Sequence, residues 1–313
     1  MDLGHLAQLC YNMTESYLQI TNGTDVINGT QEAIRITKDQ LLLDIFKKWN
    51  PFNDALSFSF NGGKDCQVLL LLYLSCLWEF FMLGVSSSQF DRKYHKFPLT
   101  KLPSVLISQE EVFSTVDSYI AESIDRYNLD LYESTPQNGN HIDMAQAFEN
   151  YLNLYPSTKA IVIGVRYTDP FGEHFKPLQP TDSNWPYFLR VQPILHWKLE
   201  NIWSYLLFSG EPICGMYAKG FTSIGDIDNT LPNPYLIINS TNVKPQFLFS
   251  KEVERSFYQD KNATNEINIT PLQPIDIKLI DSFEDDYYPG WFLVDDAKER
   301  AGRIKKQKKS TKA

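Results

Sequence analysis

One continuous segment constrains this chain most: a β-rich stretch, a double glycine and a long apolar run follow one another directly. Residues 55–60 alternate between small polar and apolar side chains, residues 61–65 have the sequence Asn-Gly-Gly-Lys-Asp, and residues 68–85 carry a single charge, Glu79. This order predicts a strand, a tight turn and a helix. The apolar run is long enough to cross a membrane, but no basic cluster flanks it and no second such run occurs. We therefore interpret it as a buried core helix.

The same combination of short apolar strand and helix recurs twice. Residues 104–107 precede a helical stretch at 112–126, and residues 160–164 follow a helical stretch at 144–154. Such alternation is typical of βαβ units, so we predict an α/β, Rossmann-like fold with a mainly parallel sheet flanked by helices. Periodicity predicts three further elements: an amphipathic helix over residues 31–49, a strand over 187–193, and a helix over 196–208 that Gly210 ends.

Charge and cysteine content restrict the class of partner and compartment. The net charge of −9 argues against a non-specific nucleic-acid coat or a generally basic membrane binder. Residues 298–313 depart from this, with eight basic residues and one acidic residue. The four cysteines form no CxxC pair, which favours free thiols in a reducing compartment. The first residues show no basic, apolar leader, so we expect a cytoplasmic protein.

The Asn61–Asp65 turn has the features of a phosphate loop. Two glycines after a strand let backbone N–H groups approach a phosphate, the next helix contributes its N-terminal dipole, and Lys64 adds a full charge. The turn matches neither Walker A nor GxGxxG, and an ordinary tight turn is the alternative. Polar turns at 108–111 and 166–169 follow the other two strands, and in an open parallel sheet all three would meet at one edge. The alternatives there are an Asx turn at Asp169 and a surface ion pair at Arg166.

The turn is similar to the SGGxDS pyrophosphate loop of the PAPS reductase and ATP-pyrophosphatase superfamily, with Asn61 and Cys66 in place of the two serines. The rest of the chain resembles the yeast-type FAD synthetase (FMN adenylyltransferase) family. The segments that carry this resemblance are residues 58–67, 164–170, 180–186, 190–194, 220–225, 231–234, 287–291 and 299–303.

The resemblance implies an adenine nucleotide alpha hydrolase-like fold and the formation of FAD and pyrophosphate from FMN and ATP with Mg²⁺. It implies that catalysis involves Asn61, Asp65, Asp169, Arg300 and Arg303, the first three as Mg²⁺ ligands held directly or through water. The implied ATP-binding residues are Ser59, Phe60, Asn61, Gly62, Gly63, Lys64, Asp65, Ile107, Glu110, Ile163, Gly164 and Arg166. The implied FMN- or FAD-binding residues are Tyr167, Asp169, Asp182, Trp185 and Arg190.

Several alternatives stay open within this assignment. Arg300 and Arg303 lie three residues apart, one helical turn, and are expected to reach the same phosphates, whereas the lysines of 305–312 form a solvated tail. Trp185 is either a wall of the flavin site or a core residue.

We expect one catalytic domain over residues 1–313, with a helical N-terminal extension (1–50), a nucleotide-binding core (51–210) and a C-terminal extension (211–313). Loops are predicted at 170–186 and 220–245, and residues 239–268 are expected to be the least regular part.

Two other functions compete with the adenylyltransferase. One is an adenylylsulfate reductase, which would need a nucleophilic thiol, and Cys214 is the last cysteine in the chain. The other is a nucleotide- or flavin-binding module, or a membrane-associated protein that uses residues 68–85. Under the adenylyltransferase hypothesis the expected partners are ATP and FMN, without nucleic acid or membrane, and the product FAD is either released or transferred to apoflavoproteins. An oligomer is not required.

Overall fold

The computed structural model describes residues 1–21, 23–86, 96–108, 111–134, 142–238 and 267–304. Within these residues the strands form one six-stranded sheet. They are β1 (Leu56–Ser59), β2 (Leu102–Ile107), β3 (Leu129–Ser134), β4 (Ala160–Val162), β5 (Leu178–Pro180) and β6 (Leu189–Val191). Their order is β3-β2-β1-β4-β6-β5, and every neighbouring pair is parallel except β5 and β6. The predicted mainly parallel sheet is confirmed.

Helices cover the sheet and build the N-terminal part. They are α1 (Leu3–Leu18), α2 (Asp25–Asp39), α3 (Phe46–Lys48), α4 (Lys64–Ser86), α5 (Ser114–Arg126), α6 (Met144–Leu154), α7 (Leu199–Ser209) and α8 (Pro274–Ile280). A π-helical turn, Gln40–Ile45, joins α2 to α3. Short 3₁₀ turns follow at Gly172–His174, Gly215–Lys219, Ile227–Asn229, Pro234–Leu236, Gly290–Phe292 and Asp296–Lys298.

The long apolar helix α4 lies in the core. In the part of the chain that the structure describes, it is the one helix long and apolar enough to span a membrane, and 67% of that stretch is buried inside the protein. Helices α1, α2 and α7 pack along it. Its charged residue Glu79 forms an ion pair with Lys38 at 2.9 Å, so this charge also has a partner within the fold. These contacts support the interpretation as a core helix.

The sequence missed two strands and misplaced the beginnings of two helices, one of which is α7, predicted from residue 196 but starting at Leu199. Strand β3 was not predicted, because it is an edge strand of mixed polarity (Leu-Asp-Leu-Tyr-Glu-Ser). Strand β5 lies in the predicted loop 170–186, and its three residues end in Pro180, a residue confined to sheet edges. The helix predicted from residue 31 begins six residues earlier, where the Thr24 side chain caps α2.

Other predicted boundaries agree with the structure. Helix α6 coincides with the predicted 144–154, and Gly210 ends α7 in the left-handed conformation (φ 68°). Most of the irregular segment predicted at 239–268 lies outside the described residues. The three-part division of the chain stays a prediction.

Candidate active site

The strand order places a crevice at the carboxyl ends of β1 and β4. The chain leaves β1 towards β2 on one side and returns later to β4 on the other, and such a reversal opens a crevice where α/β proteins bind ligands. A cavity of about 790 Å³ begins at the loop after β1 and extends along β2 and α5. It is lined by the loop Asn61–Gly63, the end of β2 and Ser108, one side of α5, Met144 of α6, and Ile224–Asp226 from the C-terminal part.

The loop after β1 is held by its own side chains. The Asn61 Oδ1 accepts hydrogen bonds from the Gly63 N–H (3.0 Å) and from the Cys66 thiol (2.9 Å). Burial raises the pKa of Cys66 to about 12, so its thiol stays protonated and can donate. Gly62 adopts φ 72°, which a side chain would strain. The two positions at which the sequence departs from SGGxDS therefore contact each other and form one local unit.

The beginning of α4 packs closely against neighbouring segments. A Cβ at Gly164, just after β4, would lie 2.9 Å from the backbone N and Cα of Cys66. Only glycine therefore allows this approach of the β4 loop to α4. On another side, the Lys64 N–H donates a hydrogen bond to the Tyr217 hydroxyl (3.0 Å), which caps the first turn of the helix.

Beneath the loop, three buried charged side chains and the half-buried Asp65 form a closed ring. Lys64 Nζ contacts Asp65 Oδ2 at 2.9 Å and Glu299 Oε1, while the Arg166 Nε contacts Asp65 Oδ1 at 2.6 Å and its Nη2 contacts Glu299 Oε2. Each cation thus lies between the same two carboxylates. Asp296 Oδ1 is a further partner of Arg166, at 2.7 Å from Nη1. We call Lys64, Asp65, Arg166 and Glu299 the charge ring.

The pKa directions follow from this arrangement. Burial alone would raise the pKa of Asp65, but the charges of Arg166 and Lys64 outweigh it and lower the pKa. Burial would likewise lower the pKa of Lys64, and the adjacent carboxylates of Asp65 and Glu299 raise it instead. Asp169 differs, because burial and the Asp65 charge raise its pKa, although its Oδ2 accepts the Arg166 N–H at 2.9 Å. The pKa directions of Lys64 and Asp65 thus both favour the charged form of these two ring members near neutral pH.

Arg300 lies in a turn and Arg303 forms an isolated β-bridge with Thr230, so the helical spacing assumed for them is wrong. Arg300 Nη1 lies 3.3 Å from Ser223 Oγ, and Arg303 Nη2 lies 3.6 Å from Asp226 Oδ2. A Cβ at Gly225 would overlap the Arg303 guanidinium, so that group rests on the glycine backbone. The structure thus brings both arginines to segment 223–226, which forms part of the cavity wall.

The remaining predicted nucleotide residues occupy different places around the loop. Asn61, Gly62, Gly63 and Ile107 line the cavity, whereas Phe60 is fully buried. Arg166 is also buried, which makes the surface ion pair considered for it wrong. Lys64, Asp65 and Arg166 belong to the charge ring and do not line the cavity. Ser59, at the end of β1, and Ile163, after β4, are half-buried. Glu110 lies outside the described residues.

The predicted flavin residues lie beside the sheet. Arg190 Nη2 lies 3.5 Å from Asp182 Oδ1 and donates to the Pro180 carbonyl (3.1 Å). The Trp185 ring packs 5.7 Å from the ring of Phe148 on α6, and Phe148 belongs to the cluster that also contains Ile163. Tyr167 is exposed next to the β4 loop. In the described residues, Asp182, Trp185 and Arg190 form no hydrogen bond or ion pair with the charge ring.

A resident metal site is not evident. No group of three or more histidine, cysteine or acidic residues in the described part of the chain is placed to hold a metal ion. Both carboxylate oxygens of Asp65 are engaged by cations. The assignment of Asn61, Asp65 and Asp169 to magnesium stays a prediction, and the donor set fits an ion that arrives with most of its ligands on a nucleotide.

Three residues at this site were not assigned from the sequence: Glu299, Asp296 and Tyr217. Glu299 stands in the matched segment 299–303 and is the one acidic residue of the basic last sixteen. An isolated acidic residue within a basic segment is a signal that could have identified Glu299 from the sequence. Asp296 and Tyr217 carry no comparable local signal.

Comparison with known proteins agrees with this geometry. The family model of the phosphoadenosine phosphosulfate reductase domain matches residues 55–232. The flavin adenine dinucleotide synthase of Saccharomyces cerevisiae is 53% identical over 307 residues, which cover 97% of this chain and 100% of that protein. The chain belongs to the FAD synthase family.

Solved structures of FAD synthase family members agree with this placement. A Candida glabrata FMN adenylyltransferase in complex with FAD and inorganic pyrophosphate superimposes with a TM-score of 0.88 at 53% identity, covering 97% of this chain and 100% of that one. The same enzyme in complex with FMN and the ATP analogue AMPCPP gives a TM-score of 0.85 at 50% identity, with the same coverage.

Proposed function

We propose that this chain is an FMN adenylyltransferase that forms FAD and pyrophosphate from FMN and ATP. The observation that carries the proposal is the glycine loop at the switch point of the sheet, which opens on a cavity of about 790 Å³. The near full-length similarity to FAD synthases supports it. In the reaction, an oxygen of the FMN phosphate forms a bond to the α-phosphorus of ATP, and the bond from that phosphorus to the β-phosphate oxygen breaks.

The reaction needs no strong general base, because the attacking phosphate of FMN is already anionic. The protein has to align two polyanions and balance the charge that develops on the departing pyrophosphate. Gly62 and Gly63 line the cavity without side chains, so their backbone can approach the triphosphate. Arg300 and Arg303 contact segment 223–226, of which residues 224–226 line the cavity, and supply positive charge. Mg²⁺ enters as part of the substrate MgATP, with Asn61, Asp65 and Asp169 as its predicted ligands, held directly or through water.

For the flavin we propose the surface beside α6, with Tyr167, Asp182, Trp185 and Arg190. Trp185 offers an aromatic face next to Phe148, and Arg190, which also lies over the Phe175 ring, orients Asp182. The carboxylate of Asp182 is exposed and can accept a hydrogen bond from the ring N–H. Asp182→Ala is expected to raise the KM for FMN more than the KM for ATP.

The direct test incubates the purified chain with FMN and MgATP and measures FAD by chromatography and pyrophosphate by a coupled assay. Equal amounts of the two products are expected, and riboflavin in place of FMN should yield neither, because it has no phosphate to attack. A folded protein that forms no FAD would contradict the proposal.

The reductase alternative requires a reactive thiol, which the structure does not support. Cys214 is fully buried, and burial raises its pKa to about 12. A thiol in that environment is a poor nucleophile at neutral pH. Cys214→Ser is therefore expected to keep full FAD formation, and loss of turnover without loss of folding would revive the alternative.

We further propose a cytoplasmic location and FAD as either a free or a transferred product. All four cysteines are free and buried, which suits a reducing compartment. One chain supplies the cavity, the loop and both arginines, so a monomer suffices. Fractionation of cells at low salt tests the location, and recovery of the protein with membranes would contradict it.

A further inference from the structure

The segment from Asp296 to Arg303, which we call the C-terminal strap, is anchored at both ends and in its middle. The Glu299 carbonyl accepts a hydrogen bond from the Thr222 hydroxyl (2.6 Å), and the Asn233 amide donates to the carbonyls of Lys298 (2.8 Å) and Glu299 (3.3 Å). A Cβ at Gly302 would overlap the Leu231 carbonyl oxygen, so the strap passes close to that backbone. The strap is thus built into the fold and is not a solvated tail.

Glu299 is where the strap meets the nucleotide loop. Its side chain is 7% exposed and divides its two oxygens between Lys64 and Arg166, which belong to the start of α4 and to the loop after β4. Without this carboxylate, Lys64 would keep Asp65 alone, and Arg166 would keep Asp65 and Asp296. A buried cation that loses a partner moves or takes up water, because its desolvation is no longer offset.

Arg300 and Arg303 follow Glu299 directly on the strap. Their guanidinium groups contact segment 223–226 of the cavity wall, while Glu299 fixes the strap to the loop on the other side. Glu299 is therefore the side chain of the strap that connects it directly to Lys64, at the end of the glycine loop. Displacements of about 1 Å in such a constellation can cost about 10²-fold in rate.

We propose that Glu299 is a positioning residue for nucleotidyl transfer, which couples Arg303 to the Gly62–Lys64 loop through the charge ring. The inference rests on the proposed function. A purely structural role would affect the rate whether or not Arg303 is present. In a positioning role, Glu299 affects the rate only while Arg303 is present.

A double-mutant cycle with Glu299→Gln and Arg303→Ala tests this dependence. Glu299→Gln keeps the shape but removes the charge, and is expected to lower kcat by about 10- to 100-fold with a smaller change in the KM for FMN. In the Arg303→Ala background the same change should lower kcat by less than about threefold, because coupled residues are not additive. Asp295→Asn is the matched control, since it removes an exposed carboxylate of an ion pair (Lys298, 3.1 Å) just before the strap and should leave kcat unchanged.

The outcomes distinguish failure of the proposed function from failure of the positioning role of Glu299. A wild-type protein that forms no FAD contradicts the proposed function. In a protein that does form FAD, an unchanged kcat for Glu299→Gln, or an equal fold-loss in both backgrounds, overturns the inference alone. If Glu299→Gln does not fold, Glu299→Asp enters the same cycle, because it keeps the charge but shortens the side chain that reaches Lys64 and Arg166. An equal fold-loss in both backgrounds again overturns the inference.

Discussion

Lys38 and Lys64 each lie between two carboxylates, but they join different parts of the fold. Lys38 Nζ lies between Glu15 and Glu79, and Lys64 Nζ lies between Asp65 and Glu299. The first joins helices α1, α2 and α4, whereas the second joins the start of α4 to the strap. Glu79 follows Lys64 by fifteen residues on the same helix, which corresponds to about 22 Å.

The difference lies in what surrounds each lysine. The carboxylates that hold Lys64 also hold Arg166, and the ring they form lies under the loop at the switch point of the sheet. Within the described residues, Glu15 and Glu79 pair with no second cation, and neither lines the cavity. A buried ion pair is therefore not in itself a sign of function. The ion pairs of Lys64 lie beside a crevice, and this position makes Lys64 the candidate functional residue of the two.

The largest expected effect separates the two lysines directly. Lys64→Met should lower kcat/KM by about 10²- to 10³-fold, as for loss of a preorganised charge, and should also destabilise the fold. Lys38→Met should lower stability by less, because its partners are 27–30% exposed, and should leave the kinetics of the folded protein unchanged. Urea unfolding together with steady-state FAD formation measures both. Equal kinetic losses in the two variants would show that the comparison is wrong.

Alanine substitutions at two glycines, one in each of these regions, are expected to have smaller effects. Gly225→Ala forces the Arg303 guanidinium off its backbone support, and we expect a loss of about tenfold in kcat. Gly29→Ala, in α2 with Lys38, has room for the methyl group, with the nearest atom at 3.6 Å. It should stabilise the protein by about 0.5–1 kcal/mol without a change in rate. A normal rate for Gly225→Ala would separate Arg303 from the reaction.

Two cysteines on α4 allow a third test. Cys66→Ala and Asn61→Ala each break the hydrogen bond of the loop, and their combination should cost less than the sum, by about 0.5–1.5 kcal/mol of transition-state stabilisation. Cys76→Ala, a fully buried position on the same helix, should reduce stability only. Additive losses from the Asn61 and Cys66 variants would mean that the two side chains act independently.

The smallest effect is expected in alkaline solution. The pKa of Lys38 is raised above its ordinary value of 10.5 because the Glu15 and Glu79 contacts outweigh burial. Its contribution to stability is thus fully present below 10.5 and lost as the pH rises through the folded-state pKa. The stability difference between wild type and Lys38→Met should therefore shrink above pH 10.5, whereas buried tyrosines titrate alike in both proteins. A difference that is constant with pH would contradict this assignment.

The accuracy of the sequence predictions follows from how local each signal is. Strands β1, β2 and β4 and helix α6 were predicted because each is a contiguous apolar or amphipathic segment. Strand β5 was missed because three residues at a sheet edge carry no period. The helical spacing assumed for Arg300 and Arg303 was wrong, since a separation of three residues does not distinguish a turn stabilised by Thr222 and Asn233 from a helix.

Local sequence signals were enough to predict the strand, glycine loop and core helix, the parallel sheet and the placement of the loop at its carboxyl edge. These depend on periodicity and on backbone freedom, which neighbouring residues encode. The burial of Lys64 and Arg166 in a charge ring that Glu299 closes depends on the tertiary structure. Glu299 lies 235 residues after Lys64 and 133 residues after Arg166 along the chain. Buried charges find partners across whatever elements the fold brings together, and no local pattern specifies those partners.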